Sequence, residues 1–189
     1  MSSEQKKQIV CEVNILKDLN HQHIVKYYDR VIDSKEAKIY IVMEYCPGGD
    51  ISTYLNQQKK NKEFLDEDIV WKIFFQLMQA LQYCHTKEKK ILHRDIKPAN
   101  ILIDGTGGSI KLGDFGLSRE LGEHSEFAKT YVGTPYYMSP EQVSERPKYN
   151  EKSDIWSVGC IIYELAALKR PFVGQNHYEL GANIKNGKL

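Results

Sequence analysis

Neither sign of charge is in excess in this chain. It has 26 Lys and Arg against 25 Asp and Glu, a formal net charge of +1. No global field therefore draws it to nucleic acid or to an anionic membrane. Cysteine is sparse: Cys11, Cys46, Cys84 and Cys160 lie far apart, with no Cys-x-x-Cys pair and no His-rich cluster beside them. That spacing argues against a zinc site and against a redox dithiol. Scattered thiols without a secretory leader point to a reducing, intracellular compartment, cytoplasmic or nuclear. Long apolar runs are missing too. The most apolar stretch, residues 155–168, contains Ser157 and Glu164 and is too short and mixed to span a bilayer. There is no internal repeat, low-complexity segment or linker between folding units. Function has to reside in a local site.

What is present is an ordinary globular composition, 41% hydrophobic and 27% charged over 189 residues, enough for one domain or for one lobe and part of a second. Ile9, Val13 and Leu16 fall at helical spacing, with Glu12 on the same short helix. Residues 38–45 (KIYIVMEY) are rich in β-branched and aromatic side chains and stop at Pro47-Gly48-Gly49, which reads as a buried strand entering a turn. Asp50 can cap a helix running through Gln58. From Asp66 to His85 the pattern is strongly helical, with Ile69, Ile73, Leu77 and Leu81 on one face, reinforced by Phe74 and Cys84. Ile101-Leu102-Ile103 and Ile110-Lys111-Leu112 flank a Gly-rich connector that suits a hairpin. Residues 113–145 show little periodicity, and a segment of that length without regular structure is often functional. A second strong helix spans residues 153–168.

Chemistry concentrates in a few ordered motifs. His93-Arg94-Asp95 alone would be a surface turn with an Arg–Asp contact. Here, however, Lys97 and Asn100 follow at +2 and +5 from Asp95, and Asp114-Phe115-Gly116 follows the expected hairpin. Gly133-Thr134-Pro135, Ser139-Pro140-Glu141 and Asp154-Ile155-Trp156-Ser157-Val158-Gly159 complete the series. Taken singly, Asp114 reads as a turn carboxylate and Asn100 as a cap. Together they resemble the signature set of the protein kinases.

The resemblance implies an α+β kinase-like fold, with a partial small lobe (helix C and the following strands) and a helix-rich, incomplete large lobe. Residues 1–46 would be the remnant of the small lobe and its hinge, and 47–189 the large lobe lacking its last helices. It implies transfer of the γ-phosphoryl of ATP, with Mg²⁺, to serine or threonine of protein substrates, and no nucleic-acid or membrane partner. By the match, Asp95 accepts or orients the acceptor proton, Lys97 neutralises charge beside the γ-phosphate, and Asn100 and Asp114 bind Mg²⁺. Lys97 two residues after Asp95, and Thr134 bracing both, follow the serine/threonine pattern. The Glu44 carbonyl and the Cys46 N–H would meet the adenine edge, with Met43 behind it, Leu102 beneath it and Asp50 near the ribose. Glu12 matches the helix-C glutamate. Leu16, Tyr27, His93 and Phe115 match an apolar column anchored by Asp154. Thr130 stands at the usual phosphorylation position, with Ser125 a second candidate, and Arg94 and Arg119 would clamp the phosphate. An unmodified surface hydroxyl is the plainer reading of Thr130.

Residues 127–141, 25–30, 43–50 and 149–154 resemble the NIMA-related ("never in mitosis") kinases in particular, across essentially the whole chain. That likeness implies cell-cycle work, at a centrosome or spindle pole, and dimerisation through segments outside this sequence. The pattern also departs from the family. No Gly-x-Gly-x-x-Gly loop and no strand lysine precede Glu12, which lies eleven residues after Met1. Lys6 and Lys7 sit on or just before the same helix and are poorly placed to replace that lysine. The arginine expected to pair with Glu141 would lie beyond Leu189, and Arg170 is not its match. The sequence is thus expected to be a fragment, or an incompletely predicted gene, of a working kinase. The alternative is a catalytically impaired kinase-like module that binds partners. Leu117, directly after Asp114-Phe115-Gly116, implies a preference for serine acceptors. Paired peptides differing only in Ser or Thr should be phosphorylated faster on Ser, and faster transfer to Thr would remove that assignment.

Overall fold

Apolar spacing and capping residues decide where this chain coils and where it extends. The computed structural model describes residues 15–33, 36, 38–88, 90–105, 108–115, 119–120, 135–144 and 149–189, with 119–120 as backbone only. A helical turn at 15–18 buries Ile15 and Leu16. It leads to an antiparallel ribbon of β1 (Tyr27–Asp33) and β2 (Lys38–Met43), in which Val31 faces Tyr40 and Ile32 faces Ile39. The register shifts between Tyr27 and Asp29, so the strand is bulged at its start. Period-two alternation is weak across 27–33, and the expected elements did not include β1.

Helix α1 (Ile51–Asn61) begins where expected: Asp50 caps it, accepting from the Thr53 N–H at 2.8 Å, and it runs three residues past Gln58. Helix α2 (Glu67–His85) is the spine of the molecule, packing against α3 (Glu151–Ala167) and against the strand at Ser109–Leu112. Its buried stripe is Val70, Ile73, Gln76, Leu77, Ala80, Leu81 and Cys84. Ile69, expected on that face, is exposed. The reason is geometric: at 3.6 residues per turn, a strict four-residue spacing drifts by about 40° per step, so Val70 and not Ile69 aligns with Leu77 and Leu81.

Strand β3 (Ile91–Leu92) is followed by a 3₁₀ turn at Pro98–Asn100 and by the hairpin β4 (Ile101–Asp104) and β5 (Ser109–Leu112), paired in register as expected. Strand β6 (Arg119–Glu120) pairs antiparallel with β3, inside a stretch that showed no periodicity in sequence. Helix α3 starts two residues before the expected Ser153 because Asn150 and Ser153 form a reciprocal capping box. Helix α4 (His177–Asn186) is capped by Asn176. Leu77, Ala80, Leu81, Leu92, Ile101, Leu112, Ile161 and Leu165 are fully buried where α2, α3 and the short strands meet. This mixture of helices and small antiparallel sheets is the α+β class expected from the sequence.

One buried polar side chain in this core has structural work to do. Gln76 accepts from the Ile110 N–H at 2.8 Å and donates to the Gly108 carbonyl at 3.2 Å, so it ties α2 to the mouth of the hairpin. Replacing it by leucine leaves the Ile110 N–H without its partner. Gln76→Leu should lower unfolding free energy by about 1–3 kcal/mol, read as an earlier urea midpoint at unchanged m-value.

Candidate active site

The loop between β3 and the 3₁₀ turn holds the His93–Asn100 motif, and a carboxylate from another element shapes it. Asp154, in the first turn of α3, is fully buried and accepts from the backbone N–H of His93 and of Arg94, each at 3.1 Å. The His85 ring donates to it at 2.8 Å, and the Tyr149 hydroxyl donates to its second oxygen. Burial works against ionisation, but these hydrogen bonds outweigh it and hold Asp154 below the usual carboxylate range. The anchored N–H groups help keep Arg94 in the left-handed region, at φ 69°, a conformation that non-glycine residues seldom adopt.

His93 itself is fixed as a neutral ring. Its Nε2–H donates to the Gly113 carbonyl at 2.9 Å, and its Nδ1 accepts from the Asp95 N–H at 3.3 Å. Burial lowers its pKa from the ordinary value. Its ring centroid lies 4.6 Å from that of Phe115, which is also buried. The same residue thus joins the Asp95 loop to the Gly113–Phe115 segment.

Asp95, Lys97 and Asn100 are drawn into one cluster. Lys97 Nζ lies 2.6 Å from Asp95 Oδ2, and Asn100 Nδ2 donates to Asp95 Oδ2 at 3.0 Å and to the Asp95 carbonyl at 2.8 Å. Both amide hydrogens of Asn100 are committed to Asp95, leaving its Oδ1 as the end not spent on that contact. The Gly113 N–H donates to the Asn100 carbonyl at 2.8 Å, which sets Asp114 beside the cluster at φ 53°.

Asn100 and Asp114 line a cavity of about 310 Å³ together with Leu16, Ile41, Met43, Ala99, Leu102, Gly113 and Phe115. The apolar lining suits a flat ring system, and Asn100 and Asp114 add an oxygen-bearing side chain from each of two chain segments. Among the described residues no group of three or more His, Cys, Asp or Glu side chains converges as a metal cage. One carboxamide and one carboxylate are instead the sparse, hard donor set that suits Mg²⁺ shared with phosphate oxygens. The segment 44–46 follows Met43 directly after β2, but neither Glu44 nor Cys46 is itself in that lining. Among the described residues, neither the Glu44 carbonyl nor the Cys46 N–H is taken by another backbone group. The turn that follows is docked on β4, with the Gly48 N–H donating to the Ile103 carbonyl at 3.0 Å and the Ile103 N–H to the Gly49 carbonyl at 2.8 Å. A Cβ at Gly48 would stand 2.7 Å from the Ile103 carbonyl oxygen, so only glycine fits there.

The structure therefore brings together Asp95, Lys97, Asn100, Leu102, Asp114 and Phe115, with Met43 and Leu16 in the same wall. Asp50 is not in that lining. Both its oxygens accept from Thr53, at 2.8 and 3.0 Å. Glu141 was expected to lack a partner. It is instead only partly buried and accepts from the Ser153 hydroxyl; burial opposes ionisation, yet that bond keeps its pKa below the ordinary value. Arg170 pairs with Glu164 and lies over the Tyr136 ring. Glu12, Thr130 and Thr134, with Ser125, Leu117, Lys6 and Lys7, lie outside the described residues, as does the Arg119 side chain. His85 and Tyr149, which complete the Asp154 site, were not foreseen. Nothing in their local sequence distinguishes them from ordinary surface residues.

With this geometry in place, comparison is decisive. The sequence profile of the protein kinase domain matches residues 1–188. The chain belongs to the protein kinase domain family. Within that family it is 50% identical to serine/threonine-protein kinase Nek2 of Homo sapiens, over 100% of this chain and 43% of that protein. It is 49% identical to the probable serine/threonine-protein kinase nek2 of Dictyostelium discoideum, over 100% of this chain and 44% of that protein. It is 41% identical to G2-specific protein kinase nimA of Emericella nidulans, over 100% of this chain and 30% of that protein. These are NIMA-related kinases, as the motifs implied, and the chain spans less than half the length of each.

The anchoring of this kinase loop carries a pH signature. His93 has a lowered folded pKa, so in the unfolded chain it takes up a proton near pH 6.5 while in the folded chain it stays neutral. Asp154 has a depressed folded pKa, so its contribution is complete above the carboxylate range and is lost on further acidification. Thermal midpoints should be flat from about pH 8 to 7 and fall below about pH 6.5. His93→Phe should flatten the slope between about pH 6.5 and 5 while leaving the steeper acid limb. An unchanged slope in that variant would contradict the assignment.

Proposed function

We propose that this chain is the catalytic part of a serine/threonine protein kinase that transfers the γ-phosphoryl of ATP to protein hydroxyls. The observation that carries the reading is the Asp95–Lys97–Asn100 cluster, with Lys97 2.6 Å from the Asp95 carboxylate, set beside the Asp114 wall of an apolar cavity. Bound Mg²⁺ and ATP supply the transferable phosphoryl group and the positive charge that offsets its oxygens. Asn100, through Oδ1, and Asp114, through its carboxylate, would hold the metal.

Asp95 receives or orients the proton of the acceptor hydroxyl, and the amide of Asn100 fixes the carboxylate for that task. Lys97 holds its charge against the same oxygen, where it can follow negative charge developing on the transferred group. Leu102 and Met43 wall the apolar part of the cavity, and the Glu44 carbonyl and Cys46 N–H offer one acceptor and one donor to an adenine edge. Arg94 and Glu141 support the loops on either side of the acceptor. Asp50 serves the ribose only if its carboxylate leaves Thr53. Thr130 is the regulatory phosphorylation site in this reading, its phosphate to be clamped by Arg94 and Arg119, and Thr134 and Glu12 take the roles that the family likeness implies. Names such as "G2-specific protein kinase" among the relatives support a cell-cycle role. An intracellular setting, at a centrosome or spindle pole, and pairing of two copies through segments outside this sequence follow from the same likeness. Among the described residues no helix is long and apolar enough to cross a membrane.

The test is kinetic. In protein bearing this sequence, Asp95→Asn should lower kcat for a serine peptide by about 10²–10⁴ while nucleotide binding persists. Asp114→Asn should weaken the Mg²⁺ dependence of nucleotide binding as well as turnover. Wild-type rates in both variants would dismiss the proposal.

A further inference from the structure

Lys111 lies in an apolar strand, yet it is a lysine. It sits on β5 between buried Ile110 and Leu112 and is itself buried. Its ammonium donates to the Gln22 carbonyl at 3.0 Å, pairs with Glu44 at 3.0 Å and lies 3.9 Å from Asp104. Three separate elements therefore converge on one cation: the loop after the first helical turn, the linker after β2, and β4. The Lys111 and Glu44 side chains are 11% and 23% exposed, so their attraction is little screened by solvent or salt.

Glu44 is held at several points. Its N–H donates to the Lys26 carbonyl at 2.8 Å, and its carboxylate accepts from the Lys26 N–H at 3.1 Å as well as pairing with Lys111. What these bonds leave over is its carbonyl, at the start of the 44–46 linker that runs on to the glycine turn docked on β4. We propose that Lys111 is a positioning residue for nucleotide binding, acting through Glu44 to fix the linker before adenine arrives. This rests on the reading of the Glu44 carbonyl and Cys46 N–H as the adenine edge contacts. Fixing the linker in advance removes an ordering cost from binding, so it tightens the nucleotide without touching the transferred group.

The experiment uses protein bearing this sequence with Lys111→Met, Glu44→Gln and the double variant. Three readouts are needed: amide exchange of residues 44–48 without nucleotide, Kd for Mg²⁺-ATP, and peptide kinetics. Each single variant should speed exchange at 44–48 by about fivefold. Each should weaken Mg²⁺-ATP by about three- to tenfold, the range that ordering one side chain is worth. For Lys111→Met the loss should lie in KM for ATP, with kcat within about twofold. The double variant should be no weaker than either single one, because both remove the same contact. Unchanged exchange in both single variants, or losses that add, would overturn the proposal. If the parent protein binds no nucleotide, the kinase reading fails, and the exchange arm alone still decides whether Lys111 fixes the linker. Glu44→Gln keeps the shape of the side chain, so it decides the matter even where Lys111→Met does not fold.

Discussion

A buried carboxylate at the start of one helix governs the backbone of a loop it does not belong to. Asp154 carries four donors, from His93, Arg94, His85 and Tyr149, and these repay the desolvation of a charge placed in the core. Removing one partner of such a buried set generally costs about 3–5 kcal/mol. The left-handed Arg94, the neutral His93 ring and the direction of Asp95 all follow from that arrangement. Because α3 supplies the carboxylate and α2 supplies His85, the packing of these two helices is transmitted directly to the loop that holds Asp95, Lys97 and Asn100.

A second buried carboxylate works in the same manner farther from the cavity. Glu164 on α3 is paired with Lys59 of α1 at 2.6 Å and accepts from the Tyr137 hydroxyl at 2.6 Å. Arg170 adds a longer contact and covers the Tyr136 ring. Desolvation of Tyr137, and then its bond to Glu164, push the phenol pKa well up, so that group stays a donor throughout the physiological range. Two acidic side chains on one helix thereby hold α1, the 93–100 loop and the 135–144 segment to a common frame. Burial also pushes the Cys84 and Cys160 thiols up to about 12, which leaves them protonated and without thiolate chemistry.

The proposed reacting groups were legible in sequence because that chemistry demands fixed residue types at short spacing. Asp95, Lys97 and Asn100 lie within one loop, and a carboxamide five residues beyond a carboxylate can reach back to it. The hairpin, α1 with its Asp50 cap and the extent of α2 were legible for similarly local reasons. What sequence missed was set by distance along the chain. Gln76 looks like a surface residue until the hairpin edge presents an N–H to it. Lys111 reads as the polar side of an alternating strand until Glu44 arrives from another element. Ile69 was misplaced because a four-residue spacing drifts round the helix.

Sequence alone determined the candidate side chains of the site, the Asp50 cap and the family, since each depends on contacts within a few residues or on motif order. Tertiary structure decided which carboxylates hold distant elements together and which line the cavity. Asp50 is taken up by Thr53, Asp154 by four donors and Glu44 by Lys26 and Lys111, while Asp114 lines the wall. A charge acquires its role from the donors and the dielectric around it, and those come from residues tens of positions away.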